Sequence, residues 1–217
     1  MVPIANVVLR ELLLSEFLYL FMIYETLEIV KDQVSIFLEA KLGESNIVVL
    51  ENIAKLDDPD ITTMNDKIVM SLVNIEEEIA LKNRPNVQIK NGEYIYKNKP
   101  VNLNLYILFS ANRNVYTRSV TNLSAIIEFF QNKKVFDQLN TVLNPTIIAL
   151  NDVKEFRFVM DLFTPTFEQL NYIWGTLGGK SVPNVMYKIS IVKVEGTSIT
   201  DKGTPITEIA GEINPTS

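Results

Sequence analysis

Asn102-Leu103-Asn104-Leu105-Tyr106-Ile107-Leu108-Phe109-Ser110-Ala111-Asn112 is the stretch whose reading decides the fold. Every odd position from Val101 to Phe109 is apolar, and a period of two is the pattern of a β-strand laid against a core. Val101, Leu103, Leu105, Ile107 and Phe109 share that face, while Asn102, Asn104 and Tyr106 occupy the other. A second stretch, Leu170-Asn171-Tyr172-Ile173-Trp174-Gly175-Thr176-Leu177-Gly178-Gly179-Lys180, reads as a helix that carries the single tryptophan and stops on a double glycine. Neither stretch holds a group suited to catalysis. Both suggest a protein whose product is a surface.

Working outward, Ile23, Leu27, Val30, Val34, Phe37 and Leu42 recur at helical steps, with Gly43 as a natural stop. A short β-branched strand is expected over Asn46–Ile53, followed by an acidic loop to Asp66. Lys67–Ile75 is nearly continuous Ile, Val, Met and Leu, the composition of a strand covered on both faces. Asn91-Gly92 lies between two extended runs and predicts a hairpin, because both residues tolerate positive φ. A second helix over Ser119–Asn132 would place Val120, Leu123, Ile127 and Phe130 on its buried stripe. Phe156–Phe163 alternates as a strand. A third helix follows, with Thr164 as N-cap, Pro165 in its first turn, and Phe167, Leu170, Trp174 and Leu177 along its buried side. Val185–Glu195 is a last long strand with Val185, Tyr187, Ile189 and Ile191 facing together. The fold class expected is α+β: a mixed, mainly antiparallel sheet with a protruding hairpin and about three packed helices.

The two ends differ from this body. Met1–Phe21 is strongly apolar but interrupted by Arg10, Glu11 and Glu16, unlike a spanning helix or a signal peptide. One reading makes Met22 the natural start and Met1–Phe21 a non-native upstream extension read in frame. The other makes it an amphipathic anchor or partner contact. Residues 22–195 then form one domain. Gly196–Ser217 is rich in Thr, Gly and Pro with isolated Ile199, Ile206, Ile209 and Ile213, and reads as an extended arm.

The chain has 217 residues, no cysteine and no histidine, and a formal net charge of −6. Disulfides, thiolate nucleophiles, histidine bases and His/Cys zinc sites are excluded outright. Lysines and arginines are scattered, with no stripe to neutralise phosphates, so no nucleic-acid partner is expected. Glu76-Glu77-Glu78 reads as a solvated charge run, since the further oxygens a hard cation needs are not specified. Asp57-Asp58-Pro59-Asp60 lacks the glycine and terminal glutamate of a calcium loop. Gly175, Gly178 and Gly179 lie near a helix end, whereas phosphate binds at helix beginnings. Trp174 is read as core. No catalytic, cofactor or metal residue is expected, no cofactor, and no small-molecule substrate. A carboxylate enzyme would need acidic residues to converge in a pocket.

Four blocks carry a resemblance: Val73-Asn74-Ile75-Glu76-Glu77-Glu78; Pro100–Asn112; Ser124–Phe136 with Phe129-Phe130-Gln131; and Phe167–Tyr187 with Leu170-Asn171, Trp174-Gly175, Leu177-Gly178-Gly179-Lys180 and Pro183. In this order they resemble the cap, or tail-terminator, family of extracellular contractile injection systems of the anti-feeding prophage and Photorhabdus virulence cassette type. The match runs from Met22-Ile23-Tyr24-Glu25 to about Val194 and is to the N-terminal domain of the cap protein. The resemblance implies a structural protein rather than an enzyme. Its expected form is a homohexameric ring that closes the end of the inner tube and contractile sheath, with self, sheath protein and inner tube protein as partners. It implies assembly in the cytoplasm and then residence in the injection particle. The family brings no catalytic residues, and its start supports Met22.

A contact mechanism follows from the arm and the strands: an extended segment adds a strand to a neighbouring sheet edge. The candidate contact residues are Asn91, Gly92, Asn102, Asn104, Tyr106, Ile199, Ile206, Ile209 and Ile213. The candidate structural core is Phe109, Phe130, Leu170, Trp174, Gly178, Gly179 and Tyr187. A membrane-associated adaptor anchored by Met1–Phe21 is the alternative from another class.

Overall fold

The structure is a computed structural model that describes residues 22–79, 87–90, 93–97, 101–151, 153, 155–194 and 199–203. In chain order the elements are α1 (Met22–Leu42), β1 (Val48–Leu50), β2 (Lys67–Glu77), β3 (Val87–Lys90), β4 (Glu93–Lys97), β5 (Val101–Asn112), α2 (Tyr116–Asn132), β6 (Val135–Asp137), β7 (Arg157–Phe163), α3 (Phe167–Thr176), β8 (Asn184–Val194) and β9 (Ile199–Gly203). Six strands form one sheet in the order β1-β2-β5-β8-β7-β6, and three form a second in the order β3-β4-β9. Among the described residues only the β1–β2 pairing is parallel. The fold is therefore α+β, with a mixed and mainly antiparallel sheet.

β5 lies between β2 and β8, and the run Ile107-Leu108-Phe109-Ser110-Ala111 is buried at every residue. Alternation sends its side chains to two different cores. Leu105, Ile107 and Phe109 meet Leu27, Val30 and Val34 of α1 and Ile126 and Phe130 of α2. Leu108 faces the opposite core with Val69, Met186 and Trp174, where Leu170, Ile173 and Leu177 of α3 pack. The first core is rich in rings: Phe130 lies 4.5 Å from Tyr187 and Phe109 lies 6.1 Å from it, centroid to centroid. The loop between β1 and β2 adds Ile53 and Met64 to the second core.

Several sequence expectations need correction. The strand expected over Asn46–Ile53 is only Val48–Leu50, because Asn52 accepts from the Ala54 N–H (3.1 Å) and starts a 3-10 turn at Ile53. β2 is covered on both faces only through Ser71; Asn74, Ile75, Glu76 and Glu77 are exposed. α2 starts three residues earlier than expected and buries Ser119, Asn122, Ala125, Ile126, Phe129 and Phe130, leaving Val120 and Ile127 exposed. The stripe is rotated because Ser119 donates to the Ala111 carbonyl (3.1 Å) and Asn122 to Glu44 (3.3 Å), so polar residues take the inward face. The cap of α3 is Thr166, not Thr164: it accepts from the Gln169 N–H (3.2 Å), and Gln169 Oε1 accepts from the Thr166 N–H (3.0 Å). That shift turns Phe167 outward, where it is 93% exposed. Ile199–Gly203 of the expected arm is a strand, paired antiparallel with β4.

α3 ends as its glycines require. Gly178 and Gly179 sit at φ +99° and +80°, and the Gly179 N–H donates to the Trp174 carbonyl (2.7 Å), closing a Schellman turn. Gly175 is inside the helix, with open space where a Cβ would be. Replacing Gly175 by Ala should therefore stabilise the fold by about 0.5–1 kcal/mol. Gly178→Ala should destabilise it by about 1–2 kcal/mol, since a Cβ strains the left-handed region. Urea unfolding of the two variants checks both signs.

Burial pushes the Tyr187 hydroxyl from 10.0 up to about 12. A raised native pKa means that the fold favours the neutral phenol. The associated stability is present below about pH 10 and is lost as pH climbs through about 12. Tyr187→Phe should show a shallower fall of stability between pH 9 and pH 12, read from urea midpoints at stepped pH.

Candidate interaction surface

At the end of the large sheet where β2 finishes and β5 begins, carboxylates and amides meet on adjacent strands. Tyr106 donates its hydroxyl to Glu76 Oε2 (2.7 Å), and Asn104 donates from Nδ2 to Glu78 Oε2 (2.9 Å). The Glu78 N–H donates to the Asn102 carbonyl (2.8 Å). The hydrogen bond to Glu76, reinforced by partial burial and by the charges of Glu76 and Glu78, raises the Tyr106 pKa. The ring of Tyr106 stands edge-on to Phe163 at 5.0 Å. Asn102 and Asn104 are buried and Tyr106 is half-buried. Of these three expected contact residues, Asn104 and Tyr106 thus hold the carboxylates of Glu78 and Glu76, and Glu76 is exposed.

The remaining expected contacts divide. Ile199 lies in β9 opposite Lys97. Lys90 stands opposite Glu93, leaving room for a two-residue turn, but Asn91 and Gly92 lie outside the described residues. So do Ile206, Ile209 and Ile213. Of the expected core, Phe109, Phe130, Trp174 and Tyr187 are buried, and Leu170 is partly buried against the second core.

The two margins of the large sheet are built differently. On one, β6 turns into a loop whose Asn140 folds back along the strand. Its Nδ2 donates to the Val135 carbonyl (3.1 Å) and its Oδ1 accepts from the Asp137 N–H (3.2 Å). One side-chain amide thereby occupies two of the outward backbone groups of the strand, which partly blunts that edge. On the other margin, β1 reaches only Ile68–Met70 of β2. Past that point, from Leu72 to Glu76, β2 has β5 on one side and no strand on the other among the described residues. Nothing in the sequence marked Asn140 for this role; a single Asn in a polar loop gives no periodic signal.

The ends of the sheet are pinned by Arg113, whose side chain is 3% exposed. It donates to the Asp66 carbonyl (2.7 Å) and to Glu44 Oε2 (2.9 Å), joining the end of β5 to the starts of β2 and of the loop after α1. Elsewhere the surface is apolar in places: Leu139 is 90% exposed, Val142 and Ile148 nearly as much. Among the described residues no group of acidic side chains is arranged to hold a metal ion, and no helix is long and apolar enough to cross a membrane.

Comparison with known proteins settles the family. Residues 25–208 match the family described as the Pvc16 N-terminal domain. The chain belongs to that family. No curated protein matches it. Among solved structures, it is similar to the sheath/tube terminator, in the extended state, of an extracellular contractile injection system, PVC, at 13% identity and a TM-score of 0.58. That alignment covers 90% of this chain and 64% of the other, so this chain spans less than two thirds of its neighbour. It also matches the tube-terminating cap of the anti-feeding prophage at 14% identity and a TM-score of 0.46, over 69% of this chain and 50% of the other.

Removing the side chain that blunts β6 gives a direct test of the edge. Asn140→Ala should cost about 1–3 kcal/mol, because its amide makes three hydrogen bonds, the third accepted from the Thr141 hydroxyl. It should also raise light scattering on standing at high concentration, as an unprotected edge would.

Proposed function

We propose that this chain is the structural cap, or terminator, of a phage-tail-like contractile injection particle. It acts by contact and not by chemistry. Membership of the Pvc16 N-terminal domain family over residues 25–208 carries the reading. The likeness in fold to a sheath/tube terminator supports it. A surface of strand edges, anchored carboxylates and exposed apolar side chains suits a subunit that docks on other proteins. Copies of the chain would close a ring, with six as the expected number, over the last inner tube and sheath rings. Assembly would take place in the cytoplasm, and the particle would carry the cap out.

Closure makes weak contacts sufficient. A hydrogen bond contributes about 1 kcal/mol net, and each later contact in a ring forms at high effective concentration. The arm of this reading begins after β9, because Ile199–Gly203 is spent on pairing with β4. Residues 204–217 would then reach the sheath while the domain body forms the ring.

Electron microscopy of the chain mixed with sheath and tube subunits tests the proposal. Closed ends bearing ring-shaped density are expected. Deleting residues 204–217 should leave thermal unfolding unchanged and strip caps from the particles. Open-ended particles in the presence of the intact chain would overturn the reading.

A further inference from the structure

α3 is tied to the subunit by far less than the other two helices are. α1 is buried without a break from Thr26 to Val30 and again at Val34 and Leu38, and α2 buries six residues. Of α3 only Trp174 is buried. Leu170, Ile173 and, just past its end, Leu177 are partly buried against the second core, while Phe167 and Tyr172 stand exposed. The first core owes nothing to this helix: its side chains come from α1, α2, the strands of the large sheet and the loop after β6.

Polar ties are as sparse. The side-chain hydrogen bonds of Thr166, Gln169, Tyr172 and Thr176 all stay within residues 164–181. Among the described residues one side-chain bond leaves that segment, from Lys180 Nζ to Asp57 Oδ1 (2.6 Å), and both side chains are exposed. An ion pair so open to water contributes little. The anchor itself carries a cost, because Trp174 Nε1 is buried with no hydrogen-bond partner among the described residues. Opening would return that N–H to water and recover the cost.

The helix is also weak by itself. Ten residues make a marginal helix without packing, and Gly175 in its interior lowers helix propensity further. At its far end Gly178 and Gly179, both at positive φ, form a compact joint before β8.

We propose that residues 164–181 are a flap, which lifts from the second core while the first core and the large sheet stay folded. Few buried apolar contacts and few hydrogen bonds to the body are the marks of a segment that opens below the cost of global unfolding. Opening uncovers Val69, Leu108 and Met186 on one face of the sheet and leaves the other face sealed by α1 and α2.

Trp174 is the single tryptophan, so its emission reports the flap while far-UV circular dichroism reports the whole chain. In urea the emission of the full chain should shift to the red at a lower midpoint than the dichroism. Gly175→Ala should raise the emission midpoint and leave the dichroism midpoint in place, because α3 is already open when the rest unfolds. Ile126→Val, in the first core, should lower the dichroism midpoint and leave that of the emission. In native-state hydrogen exchange, the amides of residues 170–177 should exchange roughly tenfold faster, or more, than those of residues 107–111. Gly175→Ala should slow the exchange of the α3 amides about two- to fivefold. A single midpoint shared by emission and dichroism overturns the flap, as does exchange of the α3 amides at the rate of those in β5.

Discussion

Burial of β5 on both faces is the constraint on which the rest depends. A strand sheltered from water on both sides needs a strand on each edge and cover above and below, and the chain provides all four. β2 and β8 occupy its edges. Two long helices close one face, and a short helix with a loop closes the other. At about 25 cal/mol per Å² of apolar surface removed from water, the phenylalanines and branched residues of that strand outweigh any single polar contact. Toward the start of the strand Asn102 and Asn104 are buried against the end of β2, where the Asn102 carbonyl accepts from the Glu78 N–H and Asn104 donates to the Glu78 carboxylate.

How far this was legible in the sequence depends on which signals are local. The alternation over Val101–Phe109 depends only on neighbouring residues, and it placed β5. The Asn-Gly dipeptide predicted a turn between strands that do pair as β3 and β4. The helical period from Ile23 onward depends on residues one turn apart. The errors arose where a distant partner decided the outcome. Reading α2 by hydrophobicity put Val120 and Ile127 inside, yet the helix is rotated by what Ser119 and Asn122 bond, and those partners come from β5 and the loop after α1. In α3 the signal was local but overlooked: Thr166 and Gln169 form the cap three residues apart, and Pro165 drew the boundary too early.

The candidate surface was less legible than the fold, for a physical reason. A strand edge is defined by what does not pair with it, and absence of a partner is a property of topology. No spacing of residues shows that β1 stops opposite Met70, or that Asn140 returns to Val135 and Asp137. Asn102, Asn104 and Tyr106 were placed by alternation on the face opposite the apolar one, which says nothing of what they bond. In the structure that alternation serves an internal purpose, holding Glu76 and Glu78 in place.

The different treatment of the two sheet margins bears on how such a subunit avoids uncontrolled growth. Two identical open edges would let copies add without limit and in either orientation. Here one margin is partly covered by a side-chain amide, and on the other, among the described residues, β2 runs on past the end of β1 toward Glu76. A strand of a few residues supplies only a few kcal/mol of backbone bonding at about 1 kcal/mol each, too little for a lone pair of copies to persist. Only closure, in which the last contact needs no further loss of free motion, makes that sum favourable.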